Sequence, residues 1–401
     1  MKILFLTLCD IHSYQEHQIY CDLIREFISD GHDVYCISPV ERKTGIHTHL
    51  TQNGKILKQR ILNTQKTNVF EKGISIILLD YIFLKGIKCF FSNIKFDLII
   101  YSTPPITLLK SIAYLKKRDQ ASTYLILRDI FPQNSVDLGI LKKSGLKGIL
   151  YRYFRKKEIK LYDISDKIGC LSPQNVRYIQ ECNPTIERTK LEICPNSMDC
   201  QNIEITYDEK IALRKKYEIP LDKTVFVYGG NLGKPQGIPF LIDAINSQTQ
   251  NNNVFFLIVG SGTEFNKIEK EFQEKHIRNA KLMRSIEKND YDRMIASCDV
   301  GLVFLDYRFT IPNYPSRILS YMQAKLPVFA CTDIHTDIKQ AIIEGKFGWW
   351  CPSNDIGLFN KTISEIQKAN LVQLGKNAYN YLLKHFSSSI VYNEMSIPHS
   401  K

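Results

Sequence analysis

Residues 224–237 read TVFVYGGNLGKPQG, a stretch that few folds accommodate. A β-branched apolar run, Val225–Tyr228, leads directly into Gly229, Gly230, Gly233 and Gly237. From Ile238 onward, Phe240, Leu241, Ala244 and Ile245 recur at helical spacing, with Pro239 near the first helical position, where its missing N–H costs least. Strand, tight loop and helix in that order predict one βα unit of a parallel sheet. Glycines let the backbone approach an anion closely, a helix N-terminus offers free N–H groups, and Lys234 adds a charge. Two readings stand: a phosphate-binding turn, or a plain tight βα connection. The stretch is neither Gly-x-Gly-x-x-Gly nor a P-loop, since no Gly-Lys-Ser/Thr occurs. A phosphate here would belong to a nucleotide diphosphate held in another way.

The same alternation runs along the chain. Lys2–Leu8, Val34–Ser38, Phe96–Tyr101, Thr123–Leu127, Lys167–Leu171 and Leu191–Cys194 read as strands with helical patterns between them. The region 40–70 is polar and reads as an irregular loop with one strand. After a composition shift over Pro195–Asp222, strands are expected at Val225–Tyr228, Val254–Val259, Ala280–Met283, Val300–Leu305 and Pro327–Cys331, with helices to about Phe386. The predicted fold class is α/β with two doubly wound, Rossmann-like domains facing a central cleft. Residues 1–198 form the first domain, with a C-terminal helix, about 380–401, packing back on it. Residues 199–379 form the second. At 401 residues the chain is long enough for two cores.

Charge is uneven: residues 1–200 carry nine net positive charges and the remainder three, so the first half is expected to face something acidic. Eleven scattered cysteines without Cys-x-x-Cys spacing read as reduced structural thiols, and neither they nor the nine histidines suggest a metal site. The opening MKILFLTLCD reads as a strand and not as a signal peptide. The longest apolar segment, Ile74–Leu84, is too short to span a bilayer.

Several stretches together carry a resemblance: YGGNLGKPQGIPFLIDAI, LIVGSGTE, SCDVGLVFL and PNYPSRILSYMQAKLPVFACTD, preceded by YSTPPITL, LILRDIFPQNSVDLG, KIGCLSPQN and CPNSMD. From Lys2 to Phe386 the chain resembles family 4 glycosyltransferases, in the branch that builds bacterial O-antigen and capsular polysaccharide. The resemblance implies a GT-B fold, with a nucleotide-sugar donor in the second domain and an acceptor in the first. It further implies retention of anomeric configuration and no cofactor or required metal. The implied donor is UDP-linked, an N-acetylated amino or deoxyamino sugar being one candidate, and the implied acceptor is an undecaprenyl-diphosphate-linked saccharide.

Matching position by position, the donor-binding residues would be Gly229, Gly230, Asn231, Gly233, Lys234 and Gln236 on the first loop. Gly260 and Gly262 would meet the base or ribose, or serve a plain βα connection. Arg284, Ser285 and Ile286 would offer backbone groups to the base. Asn313, Tyr314, Pro315, Ser316, Arg317 and Tyr321 would complete the set; Ser316 and Arg317 either contact the diphosphate or cap a surface helix. The family's paired glutamates fall on Pro312 and Ser320, its glycine on Lys325, and its loop Arg and Lys on Asn231 and Gln236. The sugar contact must then come from elsewhere, such as Tyr321 or the backbone of 310–314.

In the first domain, Arg128 and Asp129 stand where many relatives carry a His. Arg128 cannot be a general base; it binds a phosphate or forms a structural pair with Asp129. Glu158 reads as a partner of a nearby Lys or Arg, and Asn196 and Asp199 as turn residues. Loss of a nucleoside diphosphate from an oxocarbenium-like centre needs N–H groups and cations aimed at the β-phosphate, a role for Gly230, Asn231, Lys234, Ser316 and Arg317; the candidate catalytic residues are Lys234 and Arg317 together with Arg128 and Asp129. A sugar-nucleotide epimerase of the same fold and a silent nucleotide-sugar-binding subunit are the alternatives; no motif supports a nucleic-acid partner. Finally, 142–160 carries eight basic residues against Glu158, interleaved with Leu146, Ile149, Leu150, Tyr153 and Phe154. This predicts a cytoplasmic protein attached peripherally to the anionic inner face of the cytoplasmic membrane.

Overall fold

The computed structural model describes residues 1–64 and 69–397. The chain divides into two compact units: Met1–Asp199 with the stretch from Ser388 onward, and Cys200–Ser387.

In the first unit the order is β1 (Lys2–Leu6), α1 (Ile19–Ser29), β2 (Asp33–Glu41), β3 (His49–Thr51), β4 (Ile56–Ile61), α2 (Val69–Phe90), β5 (Leu98–Thr103), α3 (Leu109–Asp119), β6 (Ser122–Leu127), α4 (Gln133–Asp137), α5 (Gly145–Ile164), β7 (Lys167–Cys170), α6 (Pro173–Cys182) and β8 (Leu191–Ile193). The sheet order is β3-β4-β2-β1-β5-β6-β7-β8. Only the β3–β4 pair is antiparallel. Right-handed crossovers put α1 on one face and α2, α3, α5 and α6 on the other. The strands are apolar throughout because both faces are covered: Ile3, Phe5, Leu98, Ile100 and Ile126 are fully buried.

One region of this unit differs from the sequence reading. The region 40–70 holds two strands rather than one, β3 and β4; its residues 65–68 lie outside the described set. Strand β4 reads ILKQRI, and its polar centre hid it. Lys58 is nevertheless buried, because its ammonium is paired with Asp10 and donates to Ile11 O at 2.9 Å. The apolar segment 74–84 is the middle of α2, and among the described residues no helix is long and apolar enough to cross a membrane.

The second unit runs α7 (Tyr207–Lys216), β9 (Thr224–Asn231), α8 (Ile238–Asn246), β10 (Val254–Ser261), α9 (Phe265–Glu274), β11 (Ala280–Arg284), α10 (Lys288–Ala296), β12 (Val300–Phe304), α11 (Arg317–Gln323), β13 (Val328–Thr332), α12 (Ile338–Gly345), β14 (Gly348–Pro352), α13 (Ile356–Ile366) and α14 (Leu371–His385). All six strands are parallel, in the order β11-β10-β9-β12-β13-β14. Strand β14 is an addition to the sequence reading. Its backbone is crowded: a Cβ at Gly348 would come within 1.9 Å of Val328 O.

The chain then returns to the first unit as α15 (Ser388–Glu394). There Ser388 N donates to Met198 O at 2.9 Å, Tyr392 Oη donates to Asp30, and the Tyr392 ring meets Phe27 edge-on at 4.8 Å. Residues 398–401 of the expected C-terminal helix lie outside the described set.

Candidate active site

Doubly wound sheets bind ligands outside the carboxyl ends of their strands, where neighbouring crossovers diverge. In the second unit that point lies between β9 and β12, since β9 leads away to β10 and β12 leads the other way to β13. Gly229 and Gly230 end β9, and the segment after β12 returns Arg317 to the same place.

The Arg317 guanidinium donates Nη1–H to Gly229 O at 3.1 Å and lies over the Tyr228 ring, 4.4 Å from its centroid. It stands over Gly230, where an added Cβ would sit 3.5 Å from its Cζ. Gly230 also has φ +123°, a conformation that suits glycine. Tyr321 accepts the Gly229 N–H at 2.9 Å, and Tyr291 packs against Gly229 so closely that a Cβ there would lie 1.7 Å from its hydroxyl oxygen. Three tyrosines thus cage one arginine. Desolvation pulls the Arg317 pKa down, but Tyr228, Tyr321 and Tyr291 outweigh it and the cation is held above its ordinary value. Among the described residues no ion pair involves Arg317. A guanidinium enclosed without a carboxylate retains an unneutralised charge for an anion.

The remaining expected donor residues divide by what the fold does with them. Gln236 is buried, and its Oε1 accepts from Gly233 N at 3.1 Å and from Asn231 Nδ2 at 3.2 Å, so it shapes the loop. Gly260 and Gly262 allow close approach: Cβ atoms there would meet Gly230 O at 1.9 Å and Leu232 O at 2.3 Å. The Tyr321 hydroxyl accepts the Gly229 N–H at the end of β9. Lys234 is exposed on a 3-10 turn over Lys234–Gln236. Ser316 is exposed and makes no cap bond with its side chain. Pro315 is half-buried beside it. Arg284 and Ser285 are exposed and Ile286 half-buried, with the Arg284 guanidinium 4.3 Å from the Phe265 ring centroid. Asn313 accepts from Thr336 Oγ1 through its carbonyl, while its buried Nδ2 has no acceptor. Tyr314 is buried against Phe386, 5.7 Å between centroids, and burial raises its pKa. At the positions of the family's acids, Pro312 is buried and Ser320 half-buried. Lys325 takes φ +55° and pairs with Glu204 at 2.7 Å.

In the first unit Arg128 and Asp129 follow β6. Their N–H groups donate to Thr103 Oγ1, at 3.0 and 3.3 Å. A structural pair between the two is not formed. Arg128 Nη1 donates to Cys194 O at 3.0 Å, and its Nε and Nη2 have no acceptor among the described residues. The Asp129 carboxylate instead accepts from Asn134 Nδ2 at 2.7 and 2.8 Å. Desolvation pushes its pKa up to about 6, against the Asn134 bond. Glu158 is buried, bonded to Arg155 at 2.6 Å and to the Tyr162 hydroxyl at 2.7 Å; burial raises its pKa. Asn196 is buried, and Asp199 pairs with Arg25 at 3.5 Å. Among the described residues, no cluster of three or more His, Cys, Asp or Glu could hold a metal.

Residues 209–381 match the family model described as glycosyl transferases group 1, and the caged Arg317 lies within the match. The probable glycosyltransferase WbjE of Pseudomonas aeruginosa is 24% identical over 327 residues, 82% of this chain and 80% of that protein. This chain's second unit thus carries a group 1 glycosyltransferase domain, and the chain is similar to glycosyltransferases of the family 4 type. The putative colanic acid biosynthesis glycosyl transferase WcaI of Escherichia coli K12 is 26% identical over 214 residues, 52% of the transferase and 49% of WcaI. Among solved structures, sucrose-phosphate synthase from Thermosynechococcus elongatus superimposes with a TM-score of 0.76 at 15% identity, covering 98% of the transferase and 97% of the synthase. Anabaena Alr3699/HepE in complex with UDP and glucose gives 0.68 at 15% identity, covering 98% and 97%. The fold is GT-B, as the motifs implied.

Sequence reasoning missed Tyr228 and Tyr291 as parts of the transferase's arginine cage. Tyr228 reads as an ordinary strand residue and Tyr291 as one position of a polar helix. No local signal joins them, because the cage assembles residues from β9, α10 and α11.

Proposed function

We propose that the transferase moves a sugar, with retention, from a UDP-linked donor to a lipid-linked saccharide during synthesis of a bacterial surface polysaccharide such as O-antigen or capsule. One observation carries the reading: an arginine without a carboxylate partner, caged by tyrosines, at the diverging crossovers of the family-matched unit. A diphosphate is the anion such a fork suits, and Lys234 adds a second charge to the same loop. The similarity to the putative colanic acid transferase WcaI supports the polymer class, and that to HepE in complex with UDP and glucose supports the nucleotide.

In this reading the bond from the anomeric carbon to the β-phosphate oxygen breaks while the acceptor hydroxyl bonds that carbon from the same face. Its proton passes to the departing β-phosphate. Arg317 and Lys234 stabilise the charge growing on that phosphate, and no divalent cation is required. Arg128 contacts a substrate phosphate, and Asp129 keeps the end of β6 in place through Asn134. The basic helix α5 and the turn before it hold the protein to the inner face of the membrane: Lys142, Lys143, Lys147, Arg152, Lys156 and Lys160 are exposed, whereas Arg155 is taken up by Glu158.

A transfer assay with EDTA-treated enzyme, UDP-sugars and a prenyl-diphosphate saccharide tests the function. Glycosylated acceptor with the anomeric configuration of the donor is expected. Release of an isomerised nucleotide sugar, or binding without turnover of any donor, would overturn it.

A further inference from the structure

Helices α2 and α5 share a pattern that neither needs for packing. Each buries one stripe: Leu79, Phe83 and Ile87 on α2, and Leu161 and Tyr162 on α5. Each also exposes a second apolar stripe at spacing i, i+3, i+4, i+7. On α2 it is Ile74, Ile77, Leu78 and Tyr81, with Ile77 62% and Tyr81 64% exposed. On α5 it is Leu146, Ile149, Leu150 and Tyr153, with Leu146 87% and Ile149 58% exposed. Apolar side chains in water on two helices of one face mark a contact surface.

The two stripes lie at the same end of the unit. Both helices follow parallel strands, β4 and β6, so their N-terminal ends lie toward the carboxyl edge of the sheet; the α5 stripe falls in its first turns and the α2 stripe in the first two-thirds of that helix. Helix α3 packs against both and lies between them. Its first turn is tied to α2, since Lys110 N and Ser111 N donate to Asp80 at 2.8 and 2.9 Å. Two helix spacings of about 8–10 Å each separate the stripes, so they flank a strip about 20 Å wide.

Charge identifies the occupant. The two acids of α2 are engaged: Asp80 is buried on α3, and Glu71 pairs with Arg42 at 3.0 Å. In the first four turns of α5 the one acid, Glu158, is buried. Around the stripes, Lys85, Lys88, Lys110, Lys142, Lys143 and Lys147 are exposed. Apolar stripes surrounded by lysines, with no exposed acid on α2, suit an anionic lipid surface.

We propose that α2 and α5 form a two-helix lipid-docking surface, α2 contributing mainly apolar insertion and α5 both insertion and charge. It would hold the carboxyl edge of the first sheet against the bilayer, within reach of a lipid-linked acceptor. The proposal rests on the surface attachment suggested above for α5 and extends it to α2.

Full-chain protein is sedimented with vesicles of phosphatidylglycerol and phosphatidylethanolamine, or of phosphatidylcholine alone. The double variant Ile77→Ser/Tyr81→Ser is expected to bind anionic vesicles at least tenfold more weakly while keeping its salt dependence. The variant with Lys142, Lys143, Lys156 and Lys157 each changed to Glu is expected to lose the salt-sensitive part. Both changed helix positions on α2 are exposed, so the thermal midpoint should not move. A second variant, Ile77→Trp, should shift its emission to the blue and be quenched by brominated lipid. Native-like binding of the α2 serine variant with loss in the α5 variant would overturn the α2 proposal while leaving surface attachment by α5 standing. No binding by the unaltered protein would remove both. An introduced indole that brominated lipid leaves unquenched, or a dimer that the α2 serine variant dissociates, would assign the stripe to something other than lipid.

Discussion

Each of the two units sets, at the carboxyl ends of its sheet's parallel strands, an arginine that donates Nη1 to a backbone carbonyl, and there the likeness stops. Arg317 is enclosed by Tyr228, Tyr291 and Tyr321, which hold its charge. Arg128 donates to Cys194 O and leaves Nε and Nη2 without acceptors. The neighbouring acid Asp129 is turned to Asn134 and pushed up to about 6. A cation held by an aromatic face and nearby dipoles can stand alone, whereas one with unmet donors carries a desolvation cost. The second unit thus has a preorganised anion site. The first has an unsatisfied one, which a substrate phosphate would relieve.

The comparison can be tested most severely at the glycines that bring β9 and β10 together. Gly260→Ala places a Cβ 1.9 Å from Gly230 O, against backbone that cannot swing away. Unfolding in denaturant should show a loss of roughly 3 kcal/mol or more, at the upper end of overpacking costs. Native-like stability would mean that the loop before Arg317 is less rigid than described.

Next comes the arginine pair itself. Arg317→Ala should weaken binding of a UDP-sugar about tenfold or more, corresponding to a charge-assisted hydrogen bond of roughly 1.5–3 kcal/mol. Arg128→Met should leave donor affinity within about twofold and should not lower the melting temperature, since it removes unmet donors. Calorimetry and thermal melts of both variants decide it; equal effects at the two positions would erase the distinction between the units.

Asp129 gives a pH signature peculiar to the first unit. Its pKa is raised in the folded protein, so its contribution to stability is full below the unfolded value of 3.8 and is lost as pH rises to about 6. Asp129→Asn should therefore melt higher than the native chain above pH 6. Solvent screening limits the gain to roughly 1–2 kcal/mol, and it should vanish near pH 4. A gain that is constant with pH would show that ionisation of Asp129 is not its source. The smallest effect is expected for Lys234→Ala: its ammonium is exposed, so donor affinity should fall only about two- to threefold, and less at high salt. A loss as large as that of Arg317→Ala would move the centre of the anion site onto the loop.

Much of the architecture was determined locally. Apolar strands bounded by glycine, alternating with 3.6-residue patterns, can satisfy their backbones and bury both faces only as a doubly wound sheet, and the strand–loop–helix at 224–245 is that unit in miniature. The glycines at 229, 230, 260 and 262 could likewise be singled out from spacing, and the arginine at 317 from the family resemblance. Other features were settled only in three dimensions, because they depend on partners distant in sequence. Lys58 is buried inside a strand because Asp10 and Ser38 reach it across the sheet. Gln236 faces inward to set the loop. Tyr291, on α10, reaches β9 to close the arginine cage. A stripe at i, i+3, i+4, i+7 announces a helix without saying which way it turns. Only the packing of α2 and α5 on the sheet decided that each would carry one apolar stripe inward and leave a second facing out.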